Sequence, residues 1–118
     1  MRLLSLVAFM GGEVQSGYAP HYSEGLMERL ARSRDMASVP CMISSPVYRL
    51  GTWVYVYSPK TKALRYCRVT DTSHPKDRER HLKTKRVVEL SYEVTTDLCG
   101  STRQPVLDCP VIVIRLQE

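Results

Sequence analysis

The sequence lacks any apolar run long enough to cross a lipid bilayer, which takes about 20 consecutive apolar residues in a helix. It also lacks internal repeats, low-complexity tracts and a recognisable domain linker. It does contain 118 residues, of which 43% are hydrophobic, enough for one sizeable core and too few for two. We therefore predict a single domain with no transmembrane segment.

The four cysteines include no Cys-x-x-Cys pair, the spacing typical of structural zinc sites. We therefore predict no metal site and no cofactor. The even number suits one or two disulfides in an oxidising compartment, with three possible full pairings among Cys41, Cys67, Cys99 and Cys109. Free buried thiols are the alternative for a protein that matures in a cytoplasm.

Basic residues exceed acidic ones, with 17 Lys and Arg against 12 Asp and Glu and a net charge of +5. This balance favours an anionic partner such as a cell-wall polymer, nucleic acid or an acidic surface. Many of the charges lie in PKDRERHLKTKR, a predicted loop over residues 75–86. Such a run is usually solvated, although beside a groove it could hold an anionic wall polymer. No nucleic-acid motif accompanies it, so we do not expect nucleic acid as a partner.

Residues 1–17 combine one arginine, an apolar run over residues 3–10 and a small residue at Ser16, as a secretory signal peptide does. Cleavage there would make the protein secreted. Because the run is short, we favour a retained arm or extra strand over residues 1–15, followed by the main domain over residues 16–118. The arm is too apolar to stay in water. We expect it to fold onto its own domain or to bind a neighbouring subunit of a homo-oligomer or larger assembly.

Short strands separated by turns dominate the rest of the chain. The segment TWVYVYS alternates around Val54 and Val56, and a Pro-Lys-Thr-Lys turn leads back into ALRYCRVTD, which predicts a hairpin over residues 52–71. The pattern therefore favours a mainly β fold. Two further strands and two short helices are predicted, the strands over residues 86–91 and 111–116 and the helices over residues 23–33 and 91–100.

The order of these segments resembles that of the double-psi β-barrels of the rare lipoprotein A and expansin-like families. The matching segments are LGTWVYVYSPKTKALRYCRVTD, a polar loop, VVELSYEVTTDLCG and CPVIVIRL, in that order. The resemblance covers about residues 16–116, whereas residues 36–46 match poorly. It implies a mainly β fold, namely a six-stranded double-psi β-barrel with one or two short helices.

The resemblance also implies a groove with two catalytic acids. Asp71 matches the family's acidic residue at the floor of the groove, and Glu89 matches the aspartate of an Asp-Leu-Ser segment, with one additional methylene. Each acid has a simpler interpretation as well. Aspartate is common where a strand ends, because its carboxylate accepts a backbone hydrogen bond, and Glu89 could merely balance the basic residues around it.

Five substrate-binding residues are predicted, four of them from the resemblance. Tyr18, Tyr22 and Ser23 lie in SGYAPHYSEG, which resembles the family's opening segment along the groove, and His74 falls near a polar or aromatic groove position. Trp53 is the first of three aromatic residues at alternate positions of one strand, a face that could stack on sugars. The same aromatic face could instead form a subunit contact.

Cleavage of a glycosidic bond requires an acid that protonates the leaving oxygen, often with a second carboxylate as base or charge stabiliser. A lytic transglycosylase needs only one residue that acts as acid and then as base, because a hydroxyl of the sugar itself attacks. We expect Asp71 to be this residue, with Glu89 assisting.

Two classes of function follow. The first is a peptidoglycan-binding enzyme that resembles the rare lipoprotein A lytic transglycosylases. The second is a non-catalytic barrel, either an expansin-like wall-loosening module or a structural component of a phage tail or other assembly. The expected location is the cell envelope or a virion.

Overall fold

The computed structural model describes residues 12–116. Within this range no helix is long and apolar enough to cross a membrane. Residues 12–116 form six strands, three α-helices and one 3-10 turn. In chain order these are β1 (Glu13–Tyr18), α1 (Leu26–Ser33), β2 (Met42–Ser45), β3 (Trp53–Tyr57), β4 (Leu64–Thr72), α2 (Pro75–Lys83), β5 (Glu89–Leu90), α3 (Tyr92–Cys99), the 3-10 turn (Val106–Asp108) and β6 (Pro110–Arg115).

The six strands form one mixed sheet in the order β1-β6-β3-β4-β2-β5, which curves into a half-barrel. Strands β2 and β4 run parallel, and the other four neighbouring pairs are antiparallel. The prediction of a mainly β fold is confirmed. The predicted hairpin over residues 52–71 is confirmed too, since β3 and β4 pair antiparallel and Val54 and Val56 are both buried in the core.

The two end strands of the sheet approach one another through backbone hydrogen bonds. The amide of Tyr18 donates to the carbonyl of Lys85 at 2.7 Å, and the amide of Tyr22 donates to the carbonyl of Leu90 at 2.8 Å. Gly17 makes the approach possible, because a Cβ at this position would lie 2.2 Å from the carbonyl oxygen of Lys85. The segment after β1 is thereby held beside Glu89, the residue that begins β5.

Two disulfides tie the loops and helices to the core. Cys41, just before β2, is bonded to Cys67 in β4, and Cys99, at the end of α3, is bonded to Cys109, just before β6. The structure thus selects one of the three possible pairings and leaves no cysteine free. All four cysteines are buried and belong to the main hydrophobic cluster.

Three details differ from the sequence-based expectation. The predicted loop over residues 75–86 contains helix α2, so there are three helices rather than one or two. This helix begins with Pro75 at its first turn, and the ring of His74 accepts a hydrogen bond from the amide of Lys76 as its N-cap. Strand β2 lies in the region of poor resemblance, where no element was predicted. The predicted strand over residues 86–91 is reduced to the two residues of β5.

The predicted N-terminal arm falls mostly on residues 1–11, which lie outside the described residues. Strand β1 begins at Glu13 and pairs with β6 over six residues. The expected boundary between residues 15 and 16 therefore falls inside a paired strand.

Candidate functional site

An open cleft of about 480 Å³ lies where β4, β5 and α2 meet. Its walls carry charged and hydrogen-bonding side chains, among them Tyr22, Arg34, Asp71, His74, His81 and Glu89. Two histidines, a guanidinium and the three carboxylates of Asp71, Asp77 and Glu89 line one cleft, which makes it the candidate functional site.

Strand β2 places the two predicted catalytic acids, Asp71 and Glu89, on either side of one of its residues. Ser44 of β2 pairs with Asp71 of β4 on one side and with Glu89 of β5 on the other. Neighbouring strands are about 4.8 Å apart, so the Cα atoms of the two acids are roughly 10 Å apart. Both side chains reach the same cleft.

A bulge in β4 sets the direction of Asp71. Ile43 pairs with Val69 and the next residue, Ser44, pairs with Asp71, so Thr70 is an extra residue in β4. Such an insertion changes which face of the sheet the following side chains point to. The guanidinium of Arg34 donates a hydrogen bond to the carbonyl of Thr70 at 3.2 Å and so satisfies the bulged backbone.

Asp71 is held by hydrogen bonds to both of its carboxylate oxygens. The hydroxyl of Tyr22 donates to Oδ2 at 2.5 Å, and Nη2 of Arg34 forms a salt bridge to Oδ1 at 3.0 Å. Burial and the hydrogen bond to Asp71 raise the pKa of Tyr22 far above its ordinary value, so Tyr22 stays a proton donor. Both carboxylate oxygens of Asp71 therefore already accept a hydrogen bond from within the protein.

Glu89 has a different environment. Burial raises the pKa of Glu89 and the carboxylates of Asp71 and Asp77 add to the increase, while His81 and Arg86 oppose it. Its carboxylate retains access to the cleft, with 26% of the side chain exposed. The raised pKa and the access to the cleft suit Glu89 to donate a proton.

His81, in the second half of α2, is largely buried but is among the residues that line the cleft. Its Nδ1 is 2.9 Å from the hydroxyl of Ser73, and its Nε2 is 3.7 Å from Oε1 of Glu89. The second distance is too long for a direct hydrogen bond but short enough for electrostatic contact.

The structure brings together four of the seven predicted site residues. Asp71, Glu89, Tyr22 and His74 line the cleft. Tyr18, Ser23 and Trp53 are not among the residues that line it. Tyr18 ends β1, and Ser23 is exposed just before α1.

Trp53 belongs to a stack of rings on the outer face of the β3–β4 hairpin. Its ring stacks on that of Tyr66 with centroids 4.8 Å apart, and Tyr55 contacts the same Tyr66 ring at 4.8 Å. The guanidinium of Arg68 lies 5.9 Å from the centre of the Trp53 ring. Because these rings pack against one another, the stack stabilises the β3–β4 hairpin. A sugar-binding role for Trp53 stays a prediction.

Sequence reasoning missed Arg34 and Ser73, and it gave His81 little weight. Arg34 follows α1 and reaches a partner 37 residues further along the chain. Nothing in its local sequence signals that contact. Ser73 and His81 are eight residues apart, a spacing that becomes informative only once α2 is known to be a helix.

No protein-family model matches this chain, and comparison with curated proteins finds no similar sequence.

Among residues 12–116, no group of three or more His, Cys, Asp or Glu side chains is placed to hold a metal ion.

Proposed function

We propose that the cleft binds glycan strands of peptidoglycan and cleaves them by lytic transglycosylase chemistry. The observation that carries this proposal is the placement of Asp71 and Glu89 on either side of Ser44 in one open cleft. The segment order that resembles the rare lipoprotein A family supports peptidoglycan as the substrate. The net charge of +5 suits an anionic wall.

The proposal includes a double-psi β-barrel as the finer description of the fold. The parallel pairing of β2 with β4 supports it, because a simple meander would be antiparallel throughout. Two parallel bridges, Tyr18 with Arg86 and His21 with Leu90, also connect the two ends of the sheet.

In this mechanism Glu89 protonates the glycosidic oxygen, because its partly buried carboxyl holds a proton more readily than that of an ordinary glutamate. Asp71, fixed by Tyr22 and Arg34, stabilises the positive charge that develops on the sugar. A hydroxyl of the sugar then attacks the same carbon, and the Glu89 carboxylate accepts its proton. The proposed mechanism gives Glu89 the acid/base role that the resemblance implied for Asp71.

Incubation of the purified protein with peptidoglycan, including glycans stripped of peptides, tests the proposal. The expected products are fragments with anhydro ends. Glu89→Gln should lower their rate of release by about 10²–10⁴-fold. A matched control is Glu79→Gln, since the Glu79 side chain is 80% exposed on α2 and forms a salt bridge with Lys83 on the same helix. Absence of products from the wild type, where a control enzyme releases them, would overturn the proposal.

One observation favours the non-catalytic alternative, a wall-binding module or a structural component of a phage tail. Both carboxylate oxygens of Asp71 are already occupied by Tyr22 and Arg34, an arrangement that suits a fixed binding surface. This alternative predicts that the protein sediments with insoluble peptidoglycan without releasing fragments. Either function places the protein at a cell envelope or in a virion.

A further inference from the structure

Three polar side chains lie next to one another along one wall of the cleft. Ser73 lies between the end of β4 and the start of α2, His81 lies two turns further along that helix, and Glu89 begins β5. The Ser73 hydroxyl is 2.9 Å from Nδ1 of His81, and Nε2 of His81 is 3.7 Å from the Glu89 carboxylate. All three residues line the open cleft, and His81 is largely buried there, at 7% exposed.

We propose that Ser73, His81 and Glu89 form a nucleophilic centre that hydrolyses acyl esters of sugar hydroxyls. A nucleophile in hydrogen-bond reach of a base, with that base oriented by a third group, is the geometric signature of such a centre. Ester hydrolysis goes beyond glycan-strand cleavage and does not require it, while the sugar as the alcohol of the ester rests on the proposed function.

The proposal places the ring proton of His81 on Nε2, which faces Glu89 at 3.7 Å, so that Nδ1 accepts the hydroxyl proton of Ser73. This centre works with Glu89 ionised, whereas strand cleavage begins with Glu89 protonated. Ser73 also stands at the N-terminal end of α2, whose dipole favours negative charge there. An oxyanion that forms on an acyl group attacked by Ser73 would lie near the positive, N-terminal end of the α2 dipole.

The reaction proceeds in two balanced halves. Oγ of Ser73 bonds to the acyl carbon while its proton moves to Nδ1 of His81. The bond between the acyl carbon and the sugar oxygen then breaks, and His81 gives the proton to that oxygen, which leaves as the sugar hydroxyl. In the second half, water attacks the acyl-serine, His81 takes a proton from the water and gives it to Ser73, and the free acid leaves.

A purely structural role would require only that Ser73 satisfy the ring of a buried histidine. A fluorophosphonate probe separates the two roles, because it reacts covalently with activated serines and mass spectrometry locates the adduct. Hydrolysis of p-nitrophenyl acetate gives the rate. The variants are Ser73→Ala and His81→Asn, in which asparagine keeps a polar atom near the position of Nδ1 but is no base. Ser38→Ala is the control, since Ser38 is exposed and away from these residues.

The proposal expects the adduct on Ser73 and a loss of roughly 10²–10⁴-fold in ester hydrolysis in both variants, with Ser38→Ala unchanged. Circular dichroism and thermal melting identify a variant that has failed to fold. If Ser73→Ala does not fold, the test uses His81→Asn, which keeps a polar partner for Ser73. An unlabelled wild type, a label on another serine, or labelling of Ser73 that survives His81→Asn would each overturn it. Because the probe does not involve a glycosidic bond, these outcomes are independent of strand cleavage.

Discussion

At the residue scale, the two predicted catalytic acids differ more than their positions suggest. Asp71 is engaged by Tyr22 and Arg34, while Glu89 is partly buried with a raised pKa. Sequence alone placed Asp71 at the end of one predicted strand and Glu89 within another, and it could not distinguish their environments. The difference depends on partners that lie far away along the chain.

The first residue-scale prediction concerns pH. Glu89 binds its proton more tightly in the folded chain than in the unfolded chain, so the stabilisation from this group is present at low pH. It is lost as pH rises from the ordinary glutamate pKa through the raised one. Glu89→Gln should therefore raise the melting temperature at neutral pH relative to the wild type and leave it less changed at acidic pH. Thermal melts across pH check this, and an equal shift at every pH would contradict it.

The second residue-scale prediction concerns Tyr22→Phe, which removes the hydrogen bond to Asp71 and leaves the ring in place. We expect a loss of roughly 1–2 kcal/mol in the free energy of unfolding, since the acceptor is charged and partly buried. Chemical denaturation measures it. Tyr66→Phe is the control, because the Tyr66 side chain is 53% exposed. Equal stabilities of the two variants would show that the hydrogen bond adds nothing.

At the element scale, the sequence predicted the strands and helices whose formation depends on neighbouring residues. The β3–β4 hairpin followed from alternation around Val54 and Val56 and from its turn, and α1 and α3 lie within two to three residues of their expected ends. Helix α2 was missed because its dense charge was interpreted as a loop, although Pro75 and the N-cap His74 are helix-start signals. Strand β2 is four residues long and buried, too short to show a period.

The close contact between β1 and the segment before β5 gives the element-scale prediction. Gly17→Ala would place a methyl group against the carbonyl of Lys85 and the side chain of Val87, so the strand must shift. We expect a loss of about 1–3 kcal/mol in the free energy of unfolding. Ser16→Ala, at an exposed neighbouring position of β1, should change it by less than about 0.5 kcal/mol. Denaturant melts compare the two, and a neutral Gly17→Ala would show that the strands do not meet as described.

At the scale of the whole molecule, the two disulfides close loops of unequal length. Cys41 and Cys67 are 26 residues apart, and Cys99 and Cys109 are 10 residues apart. Because the longer loop restricts the unfolded chain more, replacing Cys41 and Cys67 by serine should cost roughly 0.5–1 kcal/mol more than replacing the other pair. Chemical denaturation of the two double variants measures the difference. A larger loss from the Cys99–Cys109 pair would contradict this ranking.

The central claim is that one cleft brings Asp71 and Glu89 together for glycan-strand cleavage. Mass spectrometry of fragments released from peptide-free peptidoglycan glycans by the wild type, Glu89→Gln and Glu79→Gln tests it most directly. The account predicts anhydro-ended fragments from the wild type and from Glu79→Gln, and almost none from a correctly folded Glu89→Gln. Fragments released equally by all three proteins, or by none of them, would contradict it.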